Sequence, residues 1–347
     1  MNMHNTPILA DDCILDVRNL KVSFKTPNGI IHAVNDVSFQ VRKGETVALV
    51  GESGSGKSVT SLGIMRLTPP APRAQLDGEV WLRTGTGEPV DILKVSEARM
   101  RELRGTTVSM VFQEPMTSFN PLLTIGTQIA EGVRLHHGLS KTAAADRAVE
   151  LLDMVGLSAP RRRLDNYPHE LSGGMRQRAM IAMALACDPE VLIADEPTTA
   201  LDVTIQAQII ELLQSLQQKN NMAMIFITHN LGVVAEVANR VMVMYCGRIV
   251  EQADVVPLFK TPRMPYTIGL LQSVPRLDLD TTHQQPLPAI PGNVPSPLHP
   301  PPGCSFEPRC GYAKPGLCDQ GVPPLEAAAG DHLVRCVRWT ELKEGRL

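Results

Sequence analysis

Residues 51–58, Gly-Glu-Ser-Gly-Ser-Gly-Lys-Ser, constrain the fold of this chain more than any other feature. Residues 45–50 before them have strand character, and residues 59–67 after them have a helical pattern. A glycine-rich turn between a strand and a helix points successive backbone amides at one anion, and the lysine and serine suit a phosphate and its Mg²⁺. The segment therefore predicts a phosphate-binding loop in an α/β domain. Its candidate nucleotide-binding residues are Gly51, Ser53, Gly54, Ser55, Gly56, Lys57, Ser58 and Val59.

Other apolar runs with strand character predict a parallel sheet with helices on both faces. These runs lie at residues 47–50, 108–112, 191–194, 223–228 and 240–245.

Helical patterns replace the strand signal between Gln113 and Leu192. We interpret residues of about 114–190 as a helical subdomain inserted into an α/β core that spans 1–260. Residues 261–347 form a small C-terminal extension in this interpretation.

Composition excludes several classes of protein. The chain has 33 basic and 36 acidic residues, so its net charge of −3 gives no electrostatic footprint for nucleic acid. Its longest apolar runs are far shorter than the roughly 20 residues of a membrane helix. Asp11 and Asp12 interrupt any signal-peptide pattern at the N-terminus. We therefore expect a cytosolic chain without a DNA or RNA partner.

Two carboxylates follow the apolar run at 191–194. Asp195 is placed to hold Mg²⁺ through a water, and Glu196 to orient and polarise a water that attacks the γ-phosphorus. Two further polar residues end strands: His229 suits hydrogen bonding to the γ-phosphate, and Gln113 suits contact with Mg²⁺ or the water. From the residues alone, His229 is better explained as an ordinary polar side chain at a strand end, and Gln113 is equally well explained as a surface amide.

Taken in order, the motifs resemble those of the ATP-binding subunits of ABC transporters. Residues 51–58 match the phosphate loop, Gln113 the Q-loop, and Leu171 to Met175, Leu-Ser-Gly-Gly-Met, the signature. The remaining matches are Asp195 and Glu196 as the Walker B pair, residues 200–202 as the D-loop and His229 as the switch histidine.

The resemblance implies that two such domains meet head to tail, so that the signature of one covers ATP held by the other. Ser172, Gly173, Gly174 and Asp202 then serve the partner's nucleotide, and Phe24 stacks on adenine. One departure from the family pattern is Asn230, which stands where an acid usually follows the switch histidine.

Longer segments at 50–58, 112–118, 167–178 and 194–203 are similar to the D-type ATPase of bacterial oligopeptide and dipeptide importers. This implies ATP hydrolysis coupled to peptide import, at the cytoplasmic face of the inner membrane and peripheral to it. The implied partners are a second ATPase subunit, two membrane permease subunits and an extracytoplasmic peptide-binding protein. Related cargos remain open: nickel, murein peptides or glutathione. A soluble ABC ATPase acting on DNA or ribosomes, and an exporter cassette, fit the sequence less well.

The C-terminal extension carries a proline-rich connector, residues 286–302, followed by Cys304, Cys310, Cys318 and Cys336. Four clustered thiols in a cytosolic chain predict a metal centre, and both structural Zn²⁺ and an iron–sulfur cluster suit four thiolates. The resemblance to peptide-importer ATPases favours a [4Fe–4S] cluster. Because these cysteines lie outside the ATPase motifs, we expect their loss to leave ATP binding at Lys57 nearly intact.

Overall fold

The computed structural model describes residues 9–85, 87–199, 201–274 and 289–343. The chain divides into two compact units, and each unit gathers separate stretches of sequence. Unit 1 consists of Met1–Asp16, Gln40–Thr46 and Val80–Ile227, and unit 2 of Val17–Phe39, Val47–Glu79 and Thr228–Leu347.

The strands of the described part are numbered in chain order. They are β1 (Cys13–Thr26), β2 (Gly29–Arg42), β3 (Thr46–Val50), β4 (Ala74–Arg83), β5 (Pro89–Asp91), β6 (Val108–Val111), β7 (Val191–Asp195), β8 (Ala223–Ile227), β9 (Arg240–Tyr245), β10 (Arg248–Asp254), β11 (Glu326–Ala329) and β12 (His332–Val334).

The α-helices of the same residues are numbered in the same way. They are α1 (Lys57–Ile64), α2 (Glu97–Thr106), α3 (Pro115–Ser118), α4 (Ile125–His137), α5 (Lys141–Met154), α6 (Pro160–Arg163), α7 (Gly173–Ala184), α8 (Val203–Asn220), α9 (Leu231–Val237), α10 (Val255–Lys260), α11 (Pro265–Gln272) and α12 (Trp339–Lys343).

Unit 1 contains the parallel strands β6, β7 and β8, in that order. Every residue of the three strands is buried, as expected of parallel strands that are covered on both faces. Val191 is paired with Val108 on one side and with Ala223 on the other. The carboxyl end of β7 leads directly into Glu196.

Helices α3 to α7 fill the chain of unit 1 between β6 and β7. Polar side chains begin three of the longer helices: Thr124 accepts from the amide of Thr127 at α4, Ser140 from Ala143 at α5, and Ser172 from Met175 at α7. Such N-caps satisfy amides that have no partner within the helix. The helical signal predicted between Gln113 and Leu192 therefore corresponds to real helices.

Unit 2 contains strands in the order β11-β12-β10-β9-β3. β3 and β9 are parallel, whereas β9, β10, β12 and β11 are joined by antiparallel pairing. The C-terminal extension therefore adds two strands to this sheet, with Val334 of β12 opposite Glu251 of β10. The sequence did not predict this addition.

Within unit 1, β4 pairs antiparallel with β5, with Trp81 opposite Asp91, and this pairing was also missed from the sequence. The α/β class and the five predicted strands are confirmed as β3, β6, β7, β8 and β9. Residues 286–288 of the proline-rich connector lie outside the described residues, as does Ala200 of the D-loop. No helix of the described part is long and apolar enough to cross a membrane.

Candidate functional site

The phosphate loop of unit 2 lies between β3 and α1, as its sequence predicts. Gly51 and Gly56 have φ angles of 153° and 105°. A Cβ atom at Gly51 would lie 2.2 Å from the carbonyl oxygen of Met244, and one at Gly56 would lie 2.4 Å from that of Ala33. Only glycine fits both positions. Ser53 and Gly54 at the loop tip are exposed and can therefore meet a ligand.

Lys57 begins α1 and is buried at 5% exposure. Its Nζ donates to the carbonyl oxygens of Gly51 (2.8 Å) and Glu52 (3.1 Å). The ammonium group thus lies inside the curl of the loop. A phosphate oxygen bound there would contact both the ammonium group and the loop amides. Ser58, the next residue, is partly exposed.

His229 lines the same cavity as Gly51 and Glu52, which has a volume of about 420 Å³. The histidine itself is exposed. Asn230, the departure from the family pattern, begins α9, and its side-chain oxygen accepts from the amides of Gly232 (3.0 Å) and Val233 (3.4 Å). An asparagine cap therefore fixes the backbone directly after His229.

The predicted Walker B pair lies in unit 1. Asp195 ends β7 and is 3% exposed, whereas Glu196 is partly exposed. Glu196 has φ +45°, a left-handed conformation that non-glycine residues rarely adopt. Its backbone amide donates to the carbonyl oxygen of Ile227 at 2.9 Å. Such strain at a carboxylate is typical of functional positions.

Two side chains of unit 1 hold the Glu196 carboxylate. Nε2 of Gln113 donates to Oε2 at 3.0 Å, and the hydroxyl of Thr199 donates to the same oxygen at 2.9 Å. Gln113 and Glu196, which sequence reasoning assigned separately, are therefore brought together. Thr199 was missed, and its place three residues after Glu196 is the signal that could have found it.

The signature and the D-loop line one cavity of unit 1, of about 510 Å³. Ser172, Gly173 and Gly174 lie at its α7 side, and Asp202 lies at its α8 side. A Cβ atom at Gly174 would come within 2.9 Å of Ile205, so this glycine allows the close approach of α7 and α8. The first amides of a helix attract anions, and the anion-binding role of Ser172, Gly173 and Gly174 stays a prediction.

Phe24 lies on β1 and is partly exposed. Its neighbour Ser23 is hydrogen-bonded to Nδ1 of His32 at 2.8 Å. A partly exposed aromatic ring is available for stacking, and the adenine role of Phe24 stays a prediction.

The four tail cysteines line a single cavity of unit 2. Burial raises the pKa of Cys310 to about 11 and that of Cys336 to about 12, and the neighbouring cysteines add to both shifts. A bound cation would remove this penalty on the thiolates. In the absence of a cation, burial in this shared cavity therefore favours the protonated thiols of Cys310 and Cys336.

The described residues contain no group of three or more His, Cys, Asp or Glu side chains arranged to hold a metal ion. All seven cysteines, which belong to the described part, are free thiols. The iron–sulfur cluster therefore stays a prediction.

The phosphate loop also contacts the C-terminal extension, which the sequence did not predict. Arg309 donates to both carboxylate oxygens of Glu52, at 2.7 and 3.0 Å, and the phenol oxygen of Tyr266 accepts from the Glu52 amide at 2.8 Å. The expectation that loss of the tail cysteines leaves ATP binding at Lys57 nearly intact stays a prediction. The two charged residues are 257 positions apart, so no local pattern could have shown the pair.

Comparison with known proteins matches both parts of the chain. The ABC transporter family profile matches residues 34–199, and the profile described as "Oligopeptide/dipeptide transporter, C-terminal region" matches residues 250–318. A putative peptide import ATP-binding protein of Brucella melitensis is 56% identical over 95% of this chain and 98% of its own. The chain belongs to the ATP-binding subunits of peptide-import ABC transporters.

Other members of this ABC ATPase family support the assignment. The oligopeptide transport ATP-binding protein AppD of Bacillus subtilis is 52% identical over 94% of this chain and 97% of its own. Among solved structures, the ATP-binding cassette MJ0796, in a dimeric post-hydrolysis state bound to ADP and Pi, matches with a TM-score of 0.62 and 27% identity. That match covers 70% of this chain and 99% of MJ0796. The chain is thus an ABC ATPase, and cassettes of this family dimerise and work with membrane permeases.

Proposed function

We propose that this chain powers the import of oligopeptides or dipeptides by hydrolysing ATP on a membrane-bound transporter. The observation that carries the proposal is the combination, in one chain, of an ABC phosphate loop with the C-terminal region of oligopeptide and dipeptide transporters. The similarity to peptide import ATP-binding proteins extends over nearly the whole chain. Peripheral association with the cytoplasmic face of the inner membrane is part of the proposal.

The proposal assigns the following nucleotide-binding roles within unit 2. The amides of residues 53–58 and the ammonium of Lys57 bind the β- and γ-phosphates of ATP, and the hydroxyl of Ser58 serves Mg²⁺. His229, on the cavity that Gly51 lines, donates to the γ-phosphate. Phe24 stacks on the adenine ring. The magnesium ion offsets charge that develops on the transferred phosphoryl group.

The hydrolytic roles are assigned to the carboxylates of unit 1. Glu196 accepts a hydrogen bond from the attacking water and polarises it, and Asp195 holds Mg²⁺ through a water. Since Gln113 uses its amide nitrogen on Glu196, its carbonyl oxygen remains available to the magnesium ion or to the attacking water. Thr199 keeps the carboxylate of Glu196 in one orientation.

The signature cavity of unit 1 supports a second cassette as partner. Ser172, Gly173 and Gly174 form an anion site on α7, and Asp202 lines the same cavity. One chain already has a phosphate loop, so the second anion site serves ATP held by a partner cassette. Two permease subunits and an extracytoplasmic peptide-binding protein complete the proposed transporter.

The tail cysteines are proposed to hold a [4Fe–4S] cluster, with structural Zn²⁺ as the alternative. Support comes from the shared cavity of Cys304, Cys310, Cys318 and Cys336 and from their thiol chemistry. When bound, such a cluster would fix the fold of the tail around four thiolates. The four cysteines would supply those thiolates, and their burial in one cavity would exclude water from the thiolates.

Uptake by living cells tests the cargo. A strain that lacks this chain should lose uptake of labelled di- and oligopeptides, and the wild-type chain should restore it, whereas Lys57→Ala should not. Uptake of nickel, glutathione and murein peptides is measured in the same strain. Loss of one of these with peptide uptake intact would reject peptide import in favour of that cargo.

A further inference from the structure

Every N–H group of the Arg309 guanidinium, in the C-terminal extension, donates a hydrogen bond. Nη1 of Arg309 donates to Oε2 of Glu52 (2.7 Å) and to the hydroxyl of Tyr245 (3.2 Å). Nη2 donates to Oε1 of Glu52 (3.0 Å) and to the carbonyl of Ile290 (3.4 Å), and Nε donates to the carbonyl of Pro291 (3.0 Å). A guanidinium has five N–H groups, and Arg309 uses all five.

The surroundings of this guanidinium hold it in one place. Its side chain is only 4% exposed, and its central carbon lies 5.9 Å from the ring centres of both Tyr245 and Phe306. The cation–π contacts with these two rings, and the hydrogen bonds to the connector carbonyls of Ile290 and Pro291, hold the guanidinium without involving the Glu52 carboxylate. The arginine is therefore a fixed point to which Glu52 is bound.

Glu52 is in turn restrained at three groups within the phosphate loop. Its carboxylate is bound by Arg309, its amide donates to Tyr266, and its carbonyl accepts from Lys57. Burial raises the pKa of Tyr266 well above its usual range, so the phenol stays protonated and neutral. The position of Glu52 is thus fixed by Arg309 and Tyr266 from outside the loop and by Lys57 from within it.

The charge of Glu52 matters as much as its position. An unpaired carboxylate in a loop that binds a polyphosphate would repel the ligand. At a separation of about 10 Å and an effective dielectric constant of about 20, one such charge changes affinity on the order of tenfold. The bidentate arginine offsets this charge at close range.

We propose that Arg309 is a positioning residue for nucleotide binding: by holding and neutralising Glu52, it lets the C-terminal extension set the ATP affinity of the phosphate loop. Arg309 acts through Glu52 and does not itself touch the nucleotide. The proposal does not depend on which metal the tail cysteines bind or on which cargo is transported.

Equilibrium binding of ATP to the purified full chain tests the proposal. Arg309→Met should weaken ATP binding about tenfold, since it leaves the Glu52 carboxylate without its counter-charge. In ATPase assays of the assembled complex, the KM for ATP should rise, with kcat at saturating ATP within about twofold of wild type. Adding Glu52→Gln to Arg309→Met should recover most of the affinity, because the repelling charge is then gone.

Arg338→Met is the matched control. Arg338 is also a tail arginine with a carboxylate partner, Glu341, and it lines the cysteine cavity rather than the phosphate loop. It should leave ATP affinity within about twofold of wild type. The proposal would be overturned if Arg309→Met and Arg338→Met lost ATP affinity equally. It would also be overturned if Glu52→Gln did not restore ATP affinity to Arg309→Met.

Arg309→Lys covers the case in which Arg309→Met does not fold. An ammonium cannot engage both carboxylate oxygens as the guanidinium does, so we expect a loss of about threefold that Glu52→Gln again relieves. Unchanged ATP affinity in Arg309→Lys, together with no effect of Glu52→Gln in that background, would reject the role of the pair.

Discussion

Nε2 of Gln113 donates a 3.0 Å hydrogen bond to Oε2 of Glu196. The Q-loop glutamine and the second Walker B carboxylate of unit 1 are thereby in direct contact. Movement of Gln113 would therefore shift the carboxylate assigned to polarise water. This contact gives a physical link between the segment that follows β6 and the hydrolytic step.

Glu196→Gln should keep ATP binding and reduce turnover by about 10²-fold or more, because an amide cannot polarise the attacking water as a carboxylate does. The expected product is a closed, ATP-bound dimer, seen by size-exclusion chromatography. Glu190→Gln is the control, since Glu190 precedes the same strand that Glu196 follows. Wild-type turnover in Glu196→Gln would remove this residue from the mechanism.

Thr199→Val should lower kcat about tenfold or more, with little change in the KM for ATP. The variant loses the 2.9 Å hydrogen bond to Oε2 of Glu196, and such bonds to a charged group contribute about 1.5–3 kcal/mol. Steady-state ATPase assays on the assembled complex measure both constants. Thr198→Val serves as the control, and equal effects at the two threonines would argue against a positioning role for Thr199.

Ser172→Arg should block hydrolysis at the partner's phosphate loop while this chain still binds nucleotide at Lys57. The arginine would occupy the anion site at the start of α7. Nucleotide bound to each subunit is measured separately in a reconstituted pair of cassettes. Ser140→Arg removes a comparable cap at α5 and controls for loss of helix stability. Loss of binding at this chain's own loop would contradict head-to-tail assembly.

Asn230→Ala should lower stability by about 1 kcal/mol, because the cap on the amides of Gly232 and Val233 is lost. Asn230→Asp keeps an accepting oxygen and should stay close to wild type. Thermal unfolding compares the three proteins, and unchanged stability in the alanine variant would show that the cap contributes little.

Protein purified without oxygen should be brown and contain about four irons per chain if the tail cysteines hold a [4Fe–4S] cluster. Cys310→Ser should bleach it, whereas Cys187→Ser, a cysteine of unit 1 outside the tail cavity, should not. Iron and zinc are measured by elemental analysis. Colourless protein with one tightly bound zinc would replace the cluster with a structural zinc site.

Much of the nucleotide site could be predicted because its residues are local to strand ends. The phosphate loop depends on a short run of glycines, and Asp195 ends a buried strand that Glu196 follows directly. Their order along the chain was enough to indicate the family.

Long-range contacts could not be predicted in this way. The pairing of Arg309 with Glu52 and the addition of β12 to β10 depend on tertiary packing, and nothing in the local pattern of either segment indicates its partner. Single-sequence reasoning therefore could not show that the folded tail contacts the phosphate loop.

The two C-terminal strands, β11 and β12, form one edge of the sheet of unit 2. β12 forms hydrogen bonds with the outer edge of β10, so β10 is not an edge strand. The edge strand is β11, which has four residues, Glu326 and three alanines. A short strand that begins with a charge is a poor template for another chain. A chain cut before residue 326 would instead present the longer, largely buried β10. Loss of the tail would therefore favour self-association through an open β-edge, whatever happens to its cysteines.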